Sequence, residues 1–169
     1  MKFLIIFIFL FTNVSAGEVA NLKNIVINKE LKKYELITFL DAKNNQINLK
    51  DFEGNLILLN FWATWCAPCK EEMPSLDALL KNKKLNNLTI FPINVGQDST
   101  EKSTKFFEGL KIKNLDLYFD PPVTLAKKFQ LRGIPTSILL DKNGYEFARI
   151  IGSIDFEDKD FIKWLSKYN

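Results

Sequence analysis

The 169-residue sequence contains no histidine, and this absence excludes several common kinds of active site. Without an imidazole group there can be no Ser-His or Cys-His catalysis, no imidazole metal ligand and no axial histidine for haem. A strong excess of positive charge is also missing, because 23 Lys and Arg stand against 20 Asp and Glu for a net charge of +3. That excess is too small to indicate nucleic-acid binding.

Cysteine is scarce as well, since the chain has only Cys66 and Cys69, separated by two residues. A disulfide scaffold distributes its cysteines to close long loops, and one short loop stabilises a domain very little. Tetrahedral zinc needs four ligands, and haem attachment needs a histidine after the second cysteine, where Lys70 stands. A peroxidatic cysteine would not need a second one so near. We therefore predict a redox-active pair that works without a metal, a nucleotide or any other cofactor.

The first 16 residues have the layout of a secretory signal. Lys2 precedes an apolar run over 3–11, and the small residues of 14–16 follow before Gly17. The run is shorter than the roughly 20 apolar residues that cross a bilayer. Cleavage after residue 16 and retention as an N-terminal anchor both remain open. Either outcome places the protein in the periplasm or on the outer face of the cytoplasmic membrane, where a reducing cysteine pair needs an external supply of electrons.

The rest of the chain fits one domain of ordinary size. Residues 17–33 are expected to be an irregular lead-in with room for a short edge strand, and 34–169 the folded domain. Within that domain strands and helices alternate, with a mixed sheet covered by helices on both faces as the expected α/β architecture. The expected elements are a hairpin over 34–49, a buried strand 56–62, a helix 66–82 kinked at Pro74, a strand 89–95, a helix 99–110, a strand 115–119, a short helix 122–129, a hairpin 136–151 and a helix 155–168.

The cysteine pair lies where the buried strand passes into the first long helix. Disulfide exchange requires a thiolate, and a helix N-terminus stabilises an anion through its unpaired N–H groups and its dipole. Cys66 is therefore predicted to have a depressed pKa and to act as the nucleophile. Cys69, one turn later, can attack the mixed disulfide and release the product. Pro68 preorganises the first turn, and Ala67 leaves the approach open and uncharged.

Three segments resemble the TlpA/ResA group of exported thioredoxin-like proteins. They are Leu59-Asn60-Phe61-Trp62-Ala63-Thr64-Trp65-Cys66-Ala67-Pro68-Cys69-Lys70-Glu71-Glu72-Met73-Pro74, then Asn94-Val95-Gly96, then Arg132-Gly133-Ile134-Pro135-Thr136. The resemblance covers about residues 35–168. It implies a thioredoxin fold over 34–169, with an N-terminal hairpin and a central helix-strand insertion at about 99–119.

The resemblance also assigns roles at the site. Cys66 matches the attacking cysteine and Cys69 the resolving one. Pro135 matches a proline that is cis in this fold and packs against the pair, although by itself it could be an ordinary trans turn proline. The backbone of Ile134 would then be free to pair with an extended substrate segment. Together with Ala67, Ile134 would form part of the substrate-binding surface.

Three further positions bear on the chemistry of the site, and two of them allow more than one interpretation. Asn60 stands where cytosolic thioredoxins have a buried aspartate. Glu72 matches an acid that the ResA-like group places near the cysteines, against the alternative of an exposed helix glutamate. A buried Glu72 would raise the thiol pKa values by like-charge repulsion or relay a proton to the leaving sulfur. Trp65 either forms a wall of the site or packs in the core.

The expected protein is a monomeric, extracytoplasmic reductase of protein disulfides. In the group that it resembles, substrates include the cysteine pairs of apocytochrome c and of copper-centre assembly proteins. Electrons there come from a membrane thiol transporter of the DsbD or CcdA type. A disulfide oxidase or isomerase is an alternative, which Ala67 disfavours because strong oxidants stabilise the thiolate from between the cysteines. A copper-binding assembly protein, which would need further soft ligands, and a non-catalytic binding module are the others.

Overall fold

The computed structural model of this chain describes residues 23–169, so the predicted signal at 1–16 lies outside the described residues. The strands are β1 (Ile25–Lys33), β2 (Thr38–Asp41), β3 (Gln46–Asn48), β4 (Leu56–Trp62), β5 (Leu88–Asn94), β6 (Tyr118–Phe119), β7 (Thr136–Leu140) and β8 (Tyr145–Ile151). The α-helices are α1 (Ala67–Leu79), α2 (Thr100–Gly109), α3 (Thr124–Lys128) and α4 (Lys159–Leu165), with 3₁₀ turns at Leu49–Phe52 and Lys83–Leu85.

The eight strands within residues 23–169 form one mixed sheet in the order β1-β8-β7-β4-β5-β6-β2-β3. The strand β4 lies at its centre, parallel to β5 and antiparallel to β7. Every residue of β4 is buried, as the continuous apolar run predicted. The hairpin β2–β3 and the inserted strand β6 extend the sheet on the β5 side. The predicted mixed sheet, N-terminal hairpin and central insertion are confirmed.

Successive side chains of β4 point to opposite faces of the sheet. Both faces are apolar, and helices therefore pack on each of them. Leu58 and Trp62 enter one core cluster together with the apolar residues of α1 and α4. Leu59 and Phe61 enter the other cluster, which α3 covers. The central strand thus binds the two layers together and fixes the position of the loop that follows it.

Several elements are shorter than expected. Helix α1 continues through Pro74 but ends at Leu79, three residues before the predicted end. Strand β6 has only two residues. Helix α4 begins at Lys159 because the Asp158 carboxylate accepts hydrogen bonds from the N–H groups of the first helical turn.

The lead-in contains the edge strand for which the sequence left room, and this strand is longer than expected. The nine residues of β1 pair antiparallel with β8 and form one edge of the sheet. Most β1 side chains are exposed, so the sequence lacks the alternation that marks a strand. The segment is held by polar contacts as well, since Asn28 and Tyr34 donate to the buried carboxylate of Glu146, which Arg149 also contacts.

Candidate active site

The two cysteines form a disulfide at the point where the polypeptide leaves β4 and enters α1. Cys66 is the N-cap of the helix, and its sulfur accepts a hydrogen bond from the Cys69 N–H at 3.3 Å. Cys66 is 5% exposed, whereas Cys69 is fully buried. An incoming sulfur can therefore reach Cys66 first, and Cys69 is enclosed behind it.

The loop before Cys66 is held from two sides. On one side the Cys66 N–H donates to the Ala63 carbonyl at 3.2 Å. On the other, the carboxylate of Asp98 accepts hydrogen bonds from the Thr64 N–H at 2.9 Å and the Thr64 hydroxyl at 2.8 Å. Asp98 thereby connects the active-site loop to the segment between β5 and α2. Nothing in the sequence indicated this contact, because its partners lie 34 residues apart.

Asp98 is ionised across the range in which proteins are normally assayed. Burial opposes its ionisation, but hydrogen bonds from Lys102, Thr64 and Asn94 outweigh burial and lower its pKa to about 2. Its side chain is only 2% exposed. The contact with Thr64 is therefore a charge-assisted one, stronger than a bond between neutral groups.

Trp65 lies on the surface, with 67% of the residue exposed, which makes the core-packing alternative wrong. Ala67 is also exposed. The indole of Trp65 passes close to Gly96, where an added Cβ would lie 3.0 Å from Nε1 and 2.5 Å from the Cβ of Ala63. Any side chain at position 96 would thus displace the loop that carries Trp65.

The loop before β7 reaches the same edge of the sheet. Thr136 pairs with Phe61 near the end of β4, and the preceding Ile134–Pro135 peptide bond is cis. Pro135 is buried. Ile134 packs against the core cluster that contains both cysteines. Its N–H and carbonyl make no backbone hydrogen bond within residues 23–169, so they can pair with an extended segment from outside.

Glu72 is buried one turn beyond Cys69 on α1, which makes the exposed-glutamate alternative wrong. One carboxylate oxygen accepts from the Asn60 amide at 2.8 Å, and the other accepts from the Ile154 N–H at 3.4 Å. Burial raises the pKa of Glu72 to about 7, and the hydrogen bonds from Asn60 and Ile154 offset part of the effect. This group therefore changes its charge near neutral pH.

A cleft of about 330 Å³ connects Glu72 with the surface. Ser75, Ser153 and Asp155 line it with the carboxyl group. Neither cysteine and no part of Trp65 lines this cleft.

Asn60 joins Glu72 to the sheet, because its amide nitrogen also donates to the Ser137 hydroxyl at 3.0 Å. Its carbonyl oxygen is buried and has no hydrogen-bond partner. Rotation of the amide by half a turn would present that oxygen to Glu72, and only a protonated carboxyl can donate to it. The same side chain can therefore serve both charge states of Glu72.

Within residues 23–169, no group of three or more Cys, Asp or Glu side chains is placed to hold a metal ion. No helix in this same range has the length and apolar character needed to cross a membrane.

Comparison with known proteins relates the site to thiol chemistry. The AhpC/TSA family profile matches residues 24–145. The thiol-disulfide oxidoreductase ResA from a strain of Bacillus cereus is 36% identical over 142 residues, which are 80% of this chain and 76% of that protein. Identity at this level over most of both chains extends well beyond the cysteine motif.

Solved structures agree on the fold. A secreted thiol-disulfide isomerase from Corynebacterium glutamicum superposes with a TM-score of 0.71 at 26% identity, covering 88% of this chain and 95% of the other. A thiol:disulfide interchange protein DsbE from Chlorobium tepidum gives a TM-score of 0.69 at 22% identity, covering 83% and 99%. At that lower identity the second match supports the fold alone.

Proposed function

We propose, from the premise that this chain belongs to the AhpC/TSA family, that it is an extracytoplasmic reductase of protein disulfides. The thioredoxin fold, the resemblance to ResA and the class of thiol-disulfide oxidoreductase that the sequence predicted are confirmed. The direction of exchange, the substrate and the location are the content of the proposal.

The reaction proceeds through two exchanges of sulfur partners. In the reduced protein, the Cys66 thiolate attacks one sulfur of a substrate disulfide, the S–S bond breaks, and the other substrate sulfur leaves and takes up a proton. The thiol of Cys69 then loses its proton and attacks the Cys66 sulfur. This forms the Cys66–Cys69 disulfide and releases the second substrate thiol. Two electrons pass to the substrate, and the protein is left in its disulfide form.

The observation that carries the proposed direction is the buried acid beside an uncharged cysteine motif. A disulfide is strongly oxidising when its reduced form is stabilised, usually because the thiolate is favoured. Here the helix N-terminus favours the thiolate, and Ala67 and Pro68 add no charge between the cysteines. Glu72, when ionised, opposes a thiolate through like-charge repulsion. The pair is therefore better suited to giving electrons than to taking them.

Glu72 supplies the proton movements that the exchange requires. A general acid or base works best when its pKa is near the operating pH, and that of Glu72 is about 7. It can accept the proton of the Cys69 thiol and return a proton through the cleft that leads to the surface. Asn60 holds the carboxyl group in both charge states.

For substrates we propose extended polypeptides that carry cysteine pairs, such as apocytochrome c before haem attachment or copper-centre assembly proteins. The exposed Trp65, which precedes Cys66 in the chain, and the backbone of Ile134 support this, because they offer a surface and a strand-like edge to an extended segment. We further propose a monomer that receives its electrons from a membrane thiol transporter of the DsbD or CcdA type. The signal-like sequence at 1–16 supports the extracytoplasmic location.

A direct test compares two oxidised substrates. One is a peptide with an internal Cys-x-x-Cys-His disulfide, the haem-attachment type, and the other is glutathione disulfide. The reduced protein should reduce the peptide at least roughly tenfold faster, since the peptide offers Ile134 a longer extended backbone than glutathione does. Oxidation of the dithiol peptide by the disulfide form, with no reduction of the oxidised peptide, would contradict the proposed direction.

A further inference from the structure

The segment Thr64–Trp65 owes little of its position to packing in the core. The two cysteines are fixed by the core, and the Lys70 N–H donates to the Cys66 carbonyl at 3.1 Å. Trp65, by contrast, buries only a third of its surface. Its position therefore depends on how the backbone immediately before it is held.

Asp98 supplies that support. One oxygen of its carboxylate accepts from the Thr64 N–H and from the Asn94 amide at 3.0 Å. The other oxygen accepts from the Thr64 hydroxyl and from the Lys102 ammonium group at 2.6 Å. Each carboxylate oxygen thus accepts one hydrogen bond from Thr64 and a second one from either Asn94 in β5 or Lys102 in α2. The carboxylate acts as a fixed bridge between them.

Gly96 lies next to this bridge and close to the indole of Trp65. The Gly96 N–H donates to the Asn94 side chain at 2.8 Å, which fixes the backbone at Gly96 next to Asp98. The Trp65 indole nitrogen would lie only 3.0 Å from a Cβ at position 96. Asp98, through its bonds to Thr64, and Gly96, through this close approach, therefore both constrain the position of Trp65.

We propose that Asp98 is a positioning residue that sets the affinity for polypeptide substrates, by holding Thr64 and hence Trp65 in the surface that such a substrate contacts. The proposal rests on the proposed function, because it concerns the reduction of protein disulfides. Under this proposal the site has two separable properties. The reactivity of the sulfurs depends on α1 and the core, whereas the affinity for a polypeptide depends in part on the Asp98 carboxylate, which is hydrogen-bonded to neither sulfur.

The test uses Asp98→Ala and Asp98→Asn, with Asp77→Asn as the matched control. Asp77 also accepts several hydrogen bonds, from residues 113–115, and it holds a loop that lies outside the candidate site. For Asp98→Ala, the KM for insulin disulfides should rise roughly five- to tenfold, while kcat and the rate with glutathione disulfide change less than about twofold. Asp98→Asn keeps one acceptor for Thr64 and should fall between wild type and Asp98→Ala. Asp77→Asn should leave the KM for insulin, kcat and the rate with glutathione disulfide unchanged.

Tryptophan fluorescence gives a readout, the mobility of Trp65, that a general loss of stability would not change. Trp65 is the exposed tryptophan, since Trp62 and Trp164 are buried at 0% and 4% exposure. Iodide should therefore quench mainly Trp65, and the quenchable emission should lose anisotropy in Asp98→Ala but not in Asp77→Asn. Thr64→Val removes the hydroxyl partner alone. Its effect on KM should be non-additive with that of Asp98→Asn in a double-mutant cycle.

An unchanged KM with insulin, or an equal loss of rate with insulin and glutathione disulfide, would overturn the proposal. If Asp98→Ala fails to fold, Asp98→Asn and Thr64→Val decide the question through the same two measurements. A wild-type protein that does not reduce insulin would contradict the proposed function itself. In that case the fluorescence comparison still decides whether Asp98 holds Trp65.

Discussion

Cys66→Ser is expected to lower disulfide reduction by several orders of magnitude, to the rate of uncatalysed exchange, because the hydroxyl group is a poor substitute for a thiolate. Cys69→Ser should behave differently. Its Cys66 can still attack a substrate disulfide, but no thiol is present to resolve the product. The variant should therefore complete one exchange and accumulate a mixed disulfide, which mass spectrometry of the intact protein detects.

Comparing the two variants separates catalysis from a structural role for the disulfide. Both substitutions remove the Cys66–Cys69 bond, so a purely structural disulfide predicts the same loss in each. Survival of full reductase activity in Cys66→Ser would remove the mechanism and favour a non-catalytic binding module. A mixed disulfide on Cys69 of Cys66→Ser, with none on Cys66 of Cys69→Ser, would reverse the assigned roles.

Glu72→Gln is expected to stabilise the oxidised protein at pH 8 by about 3 kcal/mol and to have little effect at pH 4. The pKa of Glu72 rises on folding from its usual 4.5 to about 7, chiefly because the carboxyl is buried. Between these values the folded state binds more protons than the unfolded state. The free energy of unfolding of wild type therefore includes a contribution that is lost as the pH rises from about 4.5 to about 7. The neutral glutamine carries no such penalty.

Urea denaturation of wild type and variant at pH 4 and pH 8 measures the effect. Glu71→Gln is the matched control, because Glu71 is the exposed neighbour on the same helix turn and should shift neither value appreciably. Equal stabilities of Glu72→Gln and wild type at pH 8 would show that the carboxyl ionises without cost and has no raised pKa. Loss of stability in the variant at both pH values would instead assign Glu72 a purely structural hydrogen-bonding role.

The sequence predicted best those elements whose burial leaves a simple pattern. The run Leu56–Trp62 is apolar throughout because β4 is covered on both faces. The helix expected over 99–110 is α2, and Ser99 caps it by accepting a hydrogen bond from the Lys102 N–H. For β1 the sequence left room for a short edge strand but did not predict its bounds, because its exposed side chains do not alternate. It is held by pairing with β8 and by the contacts around Glu146, which periodicity does not show.

The residues of the site likewise differ in how far the sequence could predict them. The cysteines could be found from their spacing and from the helix that follows them, and the resemblance indicated Pro135 and Glu72. The burial of Glu72 could not be read from its neighbours, since Lys70 and Glu71 are charged and exposed on the same helix. Asp98 was missed altogether, because its role depends on a contact with Thr64 that arises only when β4 and β5 lie side by side.

The most direct test of the account is the equilibrium reduction potential of the Cys66–Cys69 pair. Tryptophan fluorescence in graded thiol buffers can follow it, because Trp62 and Trp65 stand next to the pair in the chain. We predict a potential near or below about −270 mV, the value of thioredoxin, as expected for a reductase supplied with electrons from the membrane. A potential near the strongly oxidising value of about −120 mV would contradict the account and make this protein a donor of disulfides.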